Sequence, residues 1–296
     1  DYDRPYYTED TEIHNVSQVP GLDYQKGFSR PTLNGNRILF SGIYGVINSI
    51  YQEKVYALEG NTIFPVSKGS SDYGKYFFNP IVYNGKVLFS GQLQSSAFSK
   101  IYECDGSVIT NVEVGSSSYE RSASSLINFA GNIYFSGTTI AGKNKIFRWD
   151  GSELTLVNSD PSVYDQRFTN PVINGNTIVF GGSDENNTFH VYSFNGTEIL
   201  SLDTIGDNIL SYFNYPTLFG SNVVFIDGSP VSSDRLFICD NSTVQRISSG
   251  SSDYAKLFFG GVTYGSFLFF RGTGTDDSTK GYYTDGSEIT NIPTGQ

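Results

Sequence analysis

The chain has 296 residues, a net charge of −11 at pH 7 and a sequence pI near 4.6. Binding to phosphate backbones or anionic lipid needs a basic face, and spanning a bilayer needs about 18 to 20 consecutive apolar residues. We therefore expect no nucleic-acid partner and no membrane insertion. Glycine (32), tyrosine (21) and phenylalanine (23) are abundant, which favours many short strands joined by tight turns over long helices.

The sequence starts at Asp1 and contains no methionine, which is typical of a processed mature chain or of a piece of a longer one. Export would account for both features, so we expect a secreted or cell-surface protein. The first predicted element is a hairpin at residues 6 to 16, YYTEDTEIHNV, in which two β-rich runs flank a polar turn.

A repeat fills the rest of the chain, and each copy opens with a turn and an apolar run that contains phenylalanine. The six copies are LNGNRILFSG (33–42), VYNGKVLFSG (82–91), NFAGNIYFSG (128–137), INGNTIVFGG (173–182), LFGSNVVFIDG (218–228) and VTYGSFLFFRG (262–272). Their aligned phenylalanines are Phe40, Phe89, Phe135, Phe180, Phe225 and Phe270. A near-constant period of 45 to 49 residues indicates a repeat architecture.

A second unit follows each copy, with two β-rich runs around a turn such as Asp105-Gly106 or Asn195-Gly196. These residue pairs accept the positive φ angles of hairpin turns, so each period holds two hairpins. We name the strands A and B around the first turn, and C and D around the second. Four-stranded units of about 45 residues match the blades of a propeller. The sequence therefore predicts an all-β propeller of six four-stranded blades in a single domain, residues 1–296.

The C-to-D hairpins resemble a known type of repeat. RWDGSEL (148–154) and ECDGSVI (103–109) are similar to the bacterial extracellular propeller repeats of the ELWxxDGT type. The preceding NGKVLFSG and AGNIYFSG look like the NGxLYFSA segment of that family. The resemblance implies an exported protein and little about activity.

Pairs of a tyrosine and a cation recur just before strand A. They are Tyr24 with Lys26, Tyr73 with Lys75, Tyr119 with Arg121, Tyr164 with Arg167, and Tyr254 with Lys256. Tyrosine rings stack on sugars and cations bind hydroxyls or carboxylates, so these are the candidate ligand-binding residues. The favoured alternative is that each tyrosine packs between blades and each cation pairs with an acid.

Other reactive side chains give weaker signals. Cys104 and Cys239 fall in equivalent slots three blades apart, so we expect unpaired packing residues. His14 and His190 have no nucleophile motif nearby, which gives no support for a catalytic triad or a zinc site. A glycosidase needs only two carboxylates, so hydrolysis stays open although no pair is singled out.

Two acidic loops, Asp184 to Asn187 and Asp276 to Ser278, can offer oxygen ligands to calcium. Neither has the spacing of an EF-hand, so solvated loops are the favoured interpretation. We expect no cofactor, with calcium as the alternative. Four Asn-x-Ser/Thr sequons, at Asn15, Asn186, Asn195 and Asn241, are candidate glycosylation sites.

The two ends of the chain carry the same hairpin, because residues 282 to 292 read YYTDGSEITNI. Seven C-to-D hairpins thus accompany six A-to-B hairpins, and one terminal copy is surplus. Residues 1–28 either form an incomplete extra blade or belong to a longer array, or one copy closes the ring while the other adds to a neighbouring molecule. The candidate assembly residues are Tyr6, Tyr7, Ile13, Val16, Tyr282, Tyr283, Ile289 and Ile292.

Taken together, these patterns predict a non-catalytic extracellular scaffold or adhesive propeller that contacts other copies of itself or surface ligands. One alternative is a lectin-like module that binds carbohydrate at several blades. The other is a carbohydrate-active hydrolase. A site that recurs in most blades favours multivalent binding, whereas an enzyme should concentrate its unusual residues in one place.

Overall fold

The computed structural model describes residues 6–9, 12–15, 17–18, 23–47, 50–94, 98–112, 119–204, 210–228 and 235–293, with backbone alone for 6–18, 46–51 and 203–204 within those ranges. Every regular element in them is a β-strand, and none of them contains a helix that could cross a membrane. The chain divides into two compact units, residues 1–157 and 158–296. That the two form one domain stays a prediction.

The first unit contains a hairpin, a short strand and three four-stranded sheets. The hairpin is β1 (Tyr6–Glu9) and β2 (Glu12–Asn15), and the short strand is β3 (Ser17–Gln18). The first blade is β4 (Lys26–Asn34), β5 (Arg37–Ile47), β6 (Ile50–Glu59) and β7 (Thr62–Pro65). The second is β8 (Tyr73–Tyr83), β9 (Lys86–Leu93), β10 (Ser99–Cys104) and β11 (Ile109–Asn111). The third is β12 (Tyr119–Phe129), β13 (Asn132–Thr139), β14 (Asn144–Trp149) and β15 (Leu154–Leu156).

The second unit contains the other three sheets. The fourth blade is β16 (Gln166–Asn174), β17 (Thr177–Ser183), β18 (Phe189–Phe194) and β19 (Ile199–Ser201), followed by the short strand β20 (Asp203–Thr204). The fifth is β21 (Asn214–Phe219), β22 (Asn222–Asp227), β23 (Arg235–Cys239) and β24 (Thr243–Arg246). The sixth is β25 (Tyr254–Tyr264), β26 (Phe267–Gly274), β27 (Thr279–Thr284) and β28 (Ile289–Asn291).

Strands A to D are neighbours in chain order and antiparallel in every one of these sheets, which confirms the prediction of six four-stranded blades. The repeated phenylalanine lies in strand B, and at most 4% of any of the six is exposed. In the first blade Phe40 stacks on Tyr56 of strand C, which is paired with it across the sheet. Side chains of adjacent blades also share cores, as where Leu39 and Val66 pack with Phe77 and Phe89.

Strand A is irregular in each blade. The residue ten positions before the repeated phenylalanine has a positive φ angle throughout: Arg30, Asn79, Ser125, Asn170, Tyr215 and Gly260. The pairing of strand A with strand B shifts register next to these positions. Such bulges change which face of the sheet the following side chains occupy.

Candidate functional site

The two terminal hairpins have identical registers. In each of them the first tyrosine pairs with the asparagine nine residues later, and the threonine pairs with the isoleucine five residues later. The pairs are Tyr6–Asn15 and Thr8–Ile13 in β1–β2, and Tyr282–Asn291 and Thr284–Ile289 in β27–β28. The N-terminal hairpin therefore has the backbone pairing of strands C and D of a blade.

The segment after the N-terminal hairpin also matches the segments that follow complete blades. In β3, Ser17 and Gln18 run parallel to Thr62 and Ile63 of strand D of the first blade. Three other segments that follow a strand D make the same parallel pairing at the next strand D. In each case the first residue of the pair comes four positions after the aliphatic residue of the strand D before it. The pairs are Ser67 with Val108, Asp203 with Thr243, and Ser248 with Glu288. Residues 6–18 thus occupy the place of the outer half of a blade that precedes the first, and we call them the half-blade.

The C-terminal copy completes the sixth blade. Its strand β27 pairs with β26, so that Tyr282 lies opposite Phe270. Tyr282 and Ile289 are buried, Tyr283 is half-buried and Ile292 is exposed. Of the N-terminal candidates for assembly, Val16 and the side chains of Tyr6, Tyr7 and Ile13 lie outside the described residues.

The half-blade carries an open strand edge. In the part of the chain that the structure describes, β1 pairs with β2 and with no other strand. The equivalent strand of the sixth blade, β27, pairs on both sides, with β26 and β28. Unpaired main-chain donors and acceptors along such an edge can bond a strand from another molecule.

The five tyrosines that precede strand A lie in the cores of the blades. At most 8% of any of Tyr24, Tyr73, Tyr119, Tyr164 and Tyr254 is exposed, so none offers an open ring face to a sugar. Tyr24 meets Phe40 and Tyr56 of its own blade edge to face. Its hydroxyl donates to the carbonyl of Gly27 at 2.8 Å, and the Tyr73 and Tyr164 hydroxyls donate to the carbonyl three residues later in the same way. Tyr24, Tyr73 and Tyr164 therefore fix the bulged start of strand A in their blades.

The cations next to these tyrosines have different environments. Lys256 pairs with Asp277 at 3.0 Å, and Arg121 lies 4.2 Å from the centre of the Phe98 ring. The Lys75 ammonium lies 4.8 Å from the Tyr76 ring. Arg167 is exposed and Lys26 is half-buried. The pairs therefore do not repeat one binding geometry from blade to blade.

Three blades share a hydrogen-bond network that the sequence analysis missed. The aspartate just before the strand-A tyrosine accepts a bond of 3.0 Å from the strand-C tyrosine and also binds a lysine. The three sets are Asp23, Tyr56 and Lys54; Asp72, Tyr102 and Lys100; and Asp253, Tyr282 and Lys280. This network could have been predicted from the sequence, because Asp-Tyr and Lys-x-Tyr occur together in the same three periods and in no other.

Charge interactions and hydrogen bonds shift the pKa values of this network in the sixth blade. The hydrogen bond from Lys280 lowers the pKa of the Asp253 carboxyl. Burial, followed by the hydrogen bond to Asp253, raises the pKa of the Tyr282 hydroxyl to about 12. Asp253 therefore stays charged and Tyr282 stays neutral, and the network joins the start of strand A to strand C.

The acidic loops use their carboxylates for local bonds. Asp184 Oδ1 accepts from the backbone N–H groups of Asn186 and Thr188, each at 2.9 Å. Asp276 accepts from Ser278 Oγ at 2.6 Å and pairs with Lys280 at 3.0 Å. Among the described residues, no group of three or more His, Cys, Asp or Glu side chains could hold a metal ion.

Three of the four sequons lie on turns and loops, and Asn15 is the last residue of β2. Asn186 and Asn195 are exposed, and Asn195 Oδ1 accepts from the backbone N–H groups of Thr197 and Glu198. Asn241 is exposed, and its Oδ1 accepts from Thr177 Oγ1 at 2.9 Å. The side chain of Asn15 lies outside the described residues.

The remaining reactive residues have structural surroundings. Cys104 and Cys239 are buried and unpaired, which confirms the prediction, and burial raises the pKa of their thiols to about 11 and about 12. Both are therefore neutral and poor nucleophiles at neutral pH. His190 packs edge to face on Tyr192 and lies 3.7 Å from Asp184. The side chain of His14 is outside the described residues.

No family model matches the chain, and no curated protein matches it. Among solved structures, it is similar to the β-propeller domain of the Trilobed protease from Pyrococcus furiosus, at 14% identity over 90% of this chain and 85% of that one, with a TM-score of 0.52. It is also similar to one of two prolyl endopeptidases, at 13% identity over 92% of this chain and only 44% of that one, with a TM-score of 0.54. Likeness at this identity bears on the fold alone. Together with the six four-stranded blades, it shows that the chain is a β-propeller.

Proposed function

We propose that this protein is a non-catalytic extracellular propeller that serves as a scaffold, and that its half-blade joins it to a second copy. One observation carries the proposal: residues 6–18 repeat the register and the link of strands C and D, while β1 pairs with β2 alone among the described strands. A half-blade of this kind lacks the strand that would cover β1 in a complete blade.

The driving force is the pairing of main-chain groups. Each backbone hydrogen bond formed at an open edge contributes about 0.5–1.5 kcal/mol net, and an uncovered edge is a liability that proteins usually manage. A strand of a second copy that pairs with β1 would form main-chain hydrogen bonds that β1 does not make with any described strand of its own chain. Such a contact joins the half-blade of one copy to a different part of the next, and a head-to-tail contact that does not close builds a filament.

Two observations support the extracellular part of the proposal. The C-to-D hairpins resemble the extracellular ELWxxDGT repeats, and the sequons at Asn186, Asn195 and Asn241 lie at exposed positions. A scaffold also fits the inert surroundings of the two cysteines and the use of the strand-A tyrosines inside the blades.

The test compares the full chain with a deletion of residues 1–16 and with the variant Tyr7→Pro, which removes a backbone donor from β1 and disfavours strand pairing there. Light scattering coupled to size exclusion, together with electron microscopy, reports the assembly state. We expect pairs or filaments from the full chain and monomers from both variants, with unchanged β-type circular dichroism. Assembly of the deletion variant to the same extent as the full chain, or a full chain that stays monomeric at high concentration, would contradict the proposal.

A further inference from the structure

A cavity of about 500 Å³ lies between the first and second blades, both of which belong to the first unit. Small-molecule sites have volumes of about 300 to 1,000 Å³. The polar side chains that line the cavity include Tyr44, Gln52, Lys54, Lys68, Lys75 and Gln94. Three ammonium groups thus meet at one cavity in a protein whose net charge is −11.

Two of the three ammonium groups have no carboxylate partner among the described residues. Lys54 is neutralised by Asp23. Lys68 Nζ donates to the amide oxygen of Gln94 at 2.5 Å, and the Lys75 ammonium lies over the Tyr76 ring. In the part of the chain that the structure describes, Lys68 and Lys75 make no ion pair. The cavity therefore has a local positive charge that no described carboxylate compensates.

The junction between the fifth and sixth blades has nearly the same sequence as this one, so a comparison of the two shows which features belong to the larger cavity. SKGSSDYGK (67–75) leads into the second blade, and SSGSSDYAK (248–256) leads into the sixth. The cavity between the fifth and sixth blades, both in the second unit, measures only about 40 Å³. Ser249 and Ala255 line it in place of Lys68 and Gly74, and Lys256, the counterpart of Lys75, is neutralised by Asp277.

The long B-to-C hairpin of the first blade supplies the rest of the larger cavity. Strands β5 and β6 have 11 and 10 residues, whereas their counterparts in the fifth blade, β22 and β23, have 6 and 5. Tyr44 and Gln52 lie on the extended part of this hairpin and line the cavity. Since the near-identical junction packs its blades without these groups, blade packing does not require them.

We propose that the cavity between the first and second blades binds a sugar-sized ligand that carries a carboxylate or sulfate group. Lys68 and Lys75 offer point charges to the oxyanion. Gln52, Gln94 and the Tyr44 hydroxyl carry both donors and acceptors, which suits a ligand rich in hydroxyl groups. This site is independent of the half-blade, and the deletion of residues 1–16 should leave it intact.

The experiment is calorimetric titration of the full chain at low ionic strength with D-glucuronate, glucose 6-sulfate, D-glucose and sodium sulfate. We expect the two acidic sugars to bind with a Kd of about 1 mM, a value reasonable for a ligand of this size, and the neutral sugar to bind at least about tenfold more weakly. Sulfate alone should also bind more weakly than the acidic sugars. Equal binding of sulfate would overturn the assignment of a sugar, and equal binding of glucose would overturn the role of the charge.

Variants locate the site. Lys68→Gln and Lys75→Gln should each weaken binding of the acidic sugars about tenfold, and the double variant should abolish it. The matched control is Lys256→Gln, which changes the counterpart of Lys75 at the near-copy junction and should leave binding unchanged. Thermal unfolding of each variant verifies that the blades are intact. Unchanged affinity in the double variant, or no binding of either acidic sugar to the full chain, would overturn the proposal.

Discussion

Asp227 and Arg235 form an ion pair of 3.0 Å between paired positions of strands B and C in the fifth blade. The other five blades have glycine at the first of these positions, in contact with the ring of the strand-A tyrosine. The fifth period has Ile209 at the tyrosine position by spacing, a residue outside the described part of the chain. Asp227 provides, opposite Arg235, the acid that Asp23, Asp72 and Asp253 provide in three other blades.

Removal of this carboxylate should destabilise the protein. Asp227 is 3% exposed and accepts from the backbone N–H groups of Ser211 and Tyr212 at 2.7 and 2.9 Å, as well as from Arg235. We expect Asp227→Ala to lower the free energy of unfolding by about 2–4 kcal/mol, because buried donors lose their acceptor. Asp227→Asn keeps an oxygen for the two N–H groups and should cost about half as much. Urea unfolding measures both, and an alanine variant as stable as the parent would contradict this role.

The glycine of the first blade should be sensitive to a single added methyl group. A Cβ atom at Gly42 would lie 2.7 Å from the Tyr56 ring and 2.8 Å from the Tyr24 ring. Gly42→Ala should therefore lower the free energy of unfolding by about 1–3 kcal/mol through overpacking. Gly45 is on the same strand, and a Cβ atom there would meet nothing within 4 Å, so Gly45→Ala should change stability by less than about 0.5 kcal/mol. Similar unfolding midpoints for the two variants would show that the rings move aside freely.

The turn carboxylates should make stability depend on acid. Backbone hydrogen bonds, first from Glu153 and then from Ser152, lower the pKa of Asp150 from 3.8 to about 2. A pKa that is lower in the folded than in the unfolded state stabilises the fold above about pH 4, and this stabilisation disappears as the pH falls through about 2.

Asp150→Asn isolates this contribution, because Asn195 accepts the equivalent backbone bonds in the fourth blade without a charge. We expect the parent protein to be the more stable of the two at pH 5, and the difference in their unfolding midpoints to shrink as the pH falls from 5 to 2. Thermal unfolding at several pH values measures this difference. A difference that stays constant over that range would exclude the carboxylate as its source.

The periodic features of the sequence were sufficient to predict the blades. The spacing of the phenylalanines from Phe40 to Phe270 reports strand B, since each of these rings packs in the same slot of its own blade. The turn pairs likewise mark the hairpins, as at Asn84-Gly85, where both residues have positive φ angles. Both signals come from residues that are close together within one repeat, so they can be recognised without knowledge of the tertiary structure.

The environment of the strand-A tyrosines could not be predicted in the same way. Tyrosine suits both a core and a binding surface, so its identity alone does not decide between them. Alternation along the strand would normally decide, but the bulges at Arg30, Asn79 and their equivalents interrupt it. The sequence pattern includes Tyr73 and Lys75, which line the cavity, but it does not predict Lys68 or the cavity itself, because the cavity depends on the length of another hairpin rather than on a motif.

The sequences of the two terminal hairpins likewise did not show which of them completes a blade, because both carry the same strand pattern and share six of eleven residues. The chain connection decides it, since only residues 275–278 separate β26 from β27. Pairing with a strand so close in sequence costs little loop-closure entropy. The N-terminal copy is left with an edge on β1 that no described strand covers.

Hydrogen exchange of the β1 amides tests the central claim, that this edge joins one copy to another, most directly. The full chain is compared in dilute, monomeric solution and at concentrations at which it assembles, with β13 in the third blade as an internal reference. We predict that amides of residues 6–9 exchange at least about tenfold more slowly in the assembly, while those of residues 132–139 exchange at the same rate in both states. Equal exchange of residues 6–9 in monomer and assembly would contradict the claim.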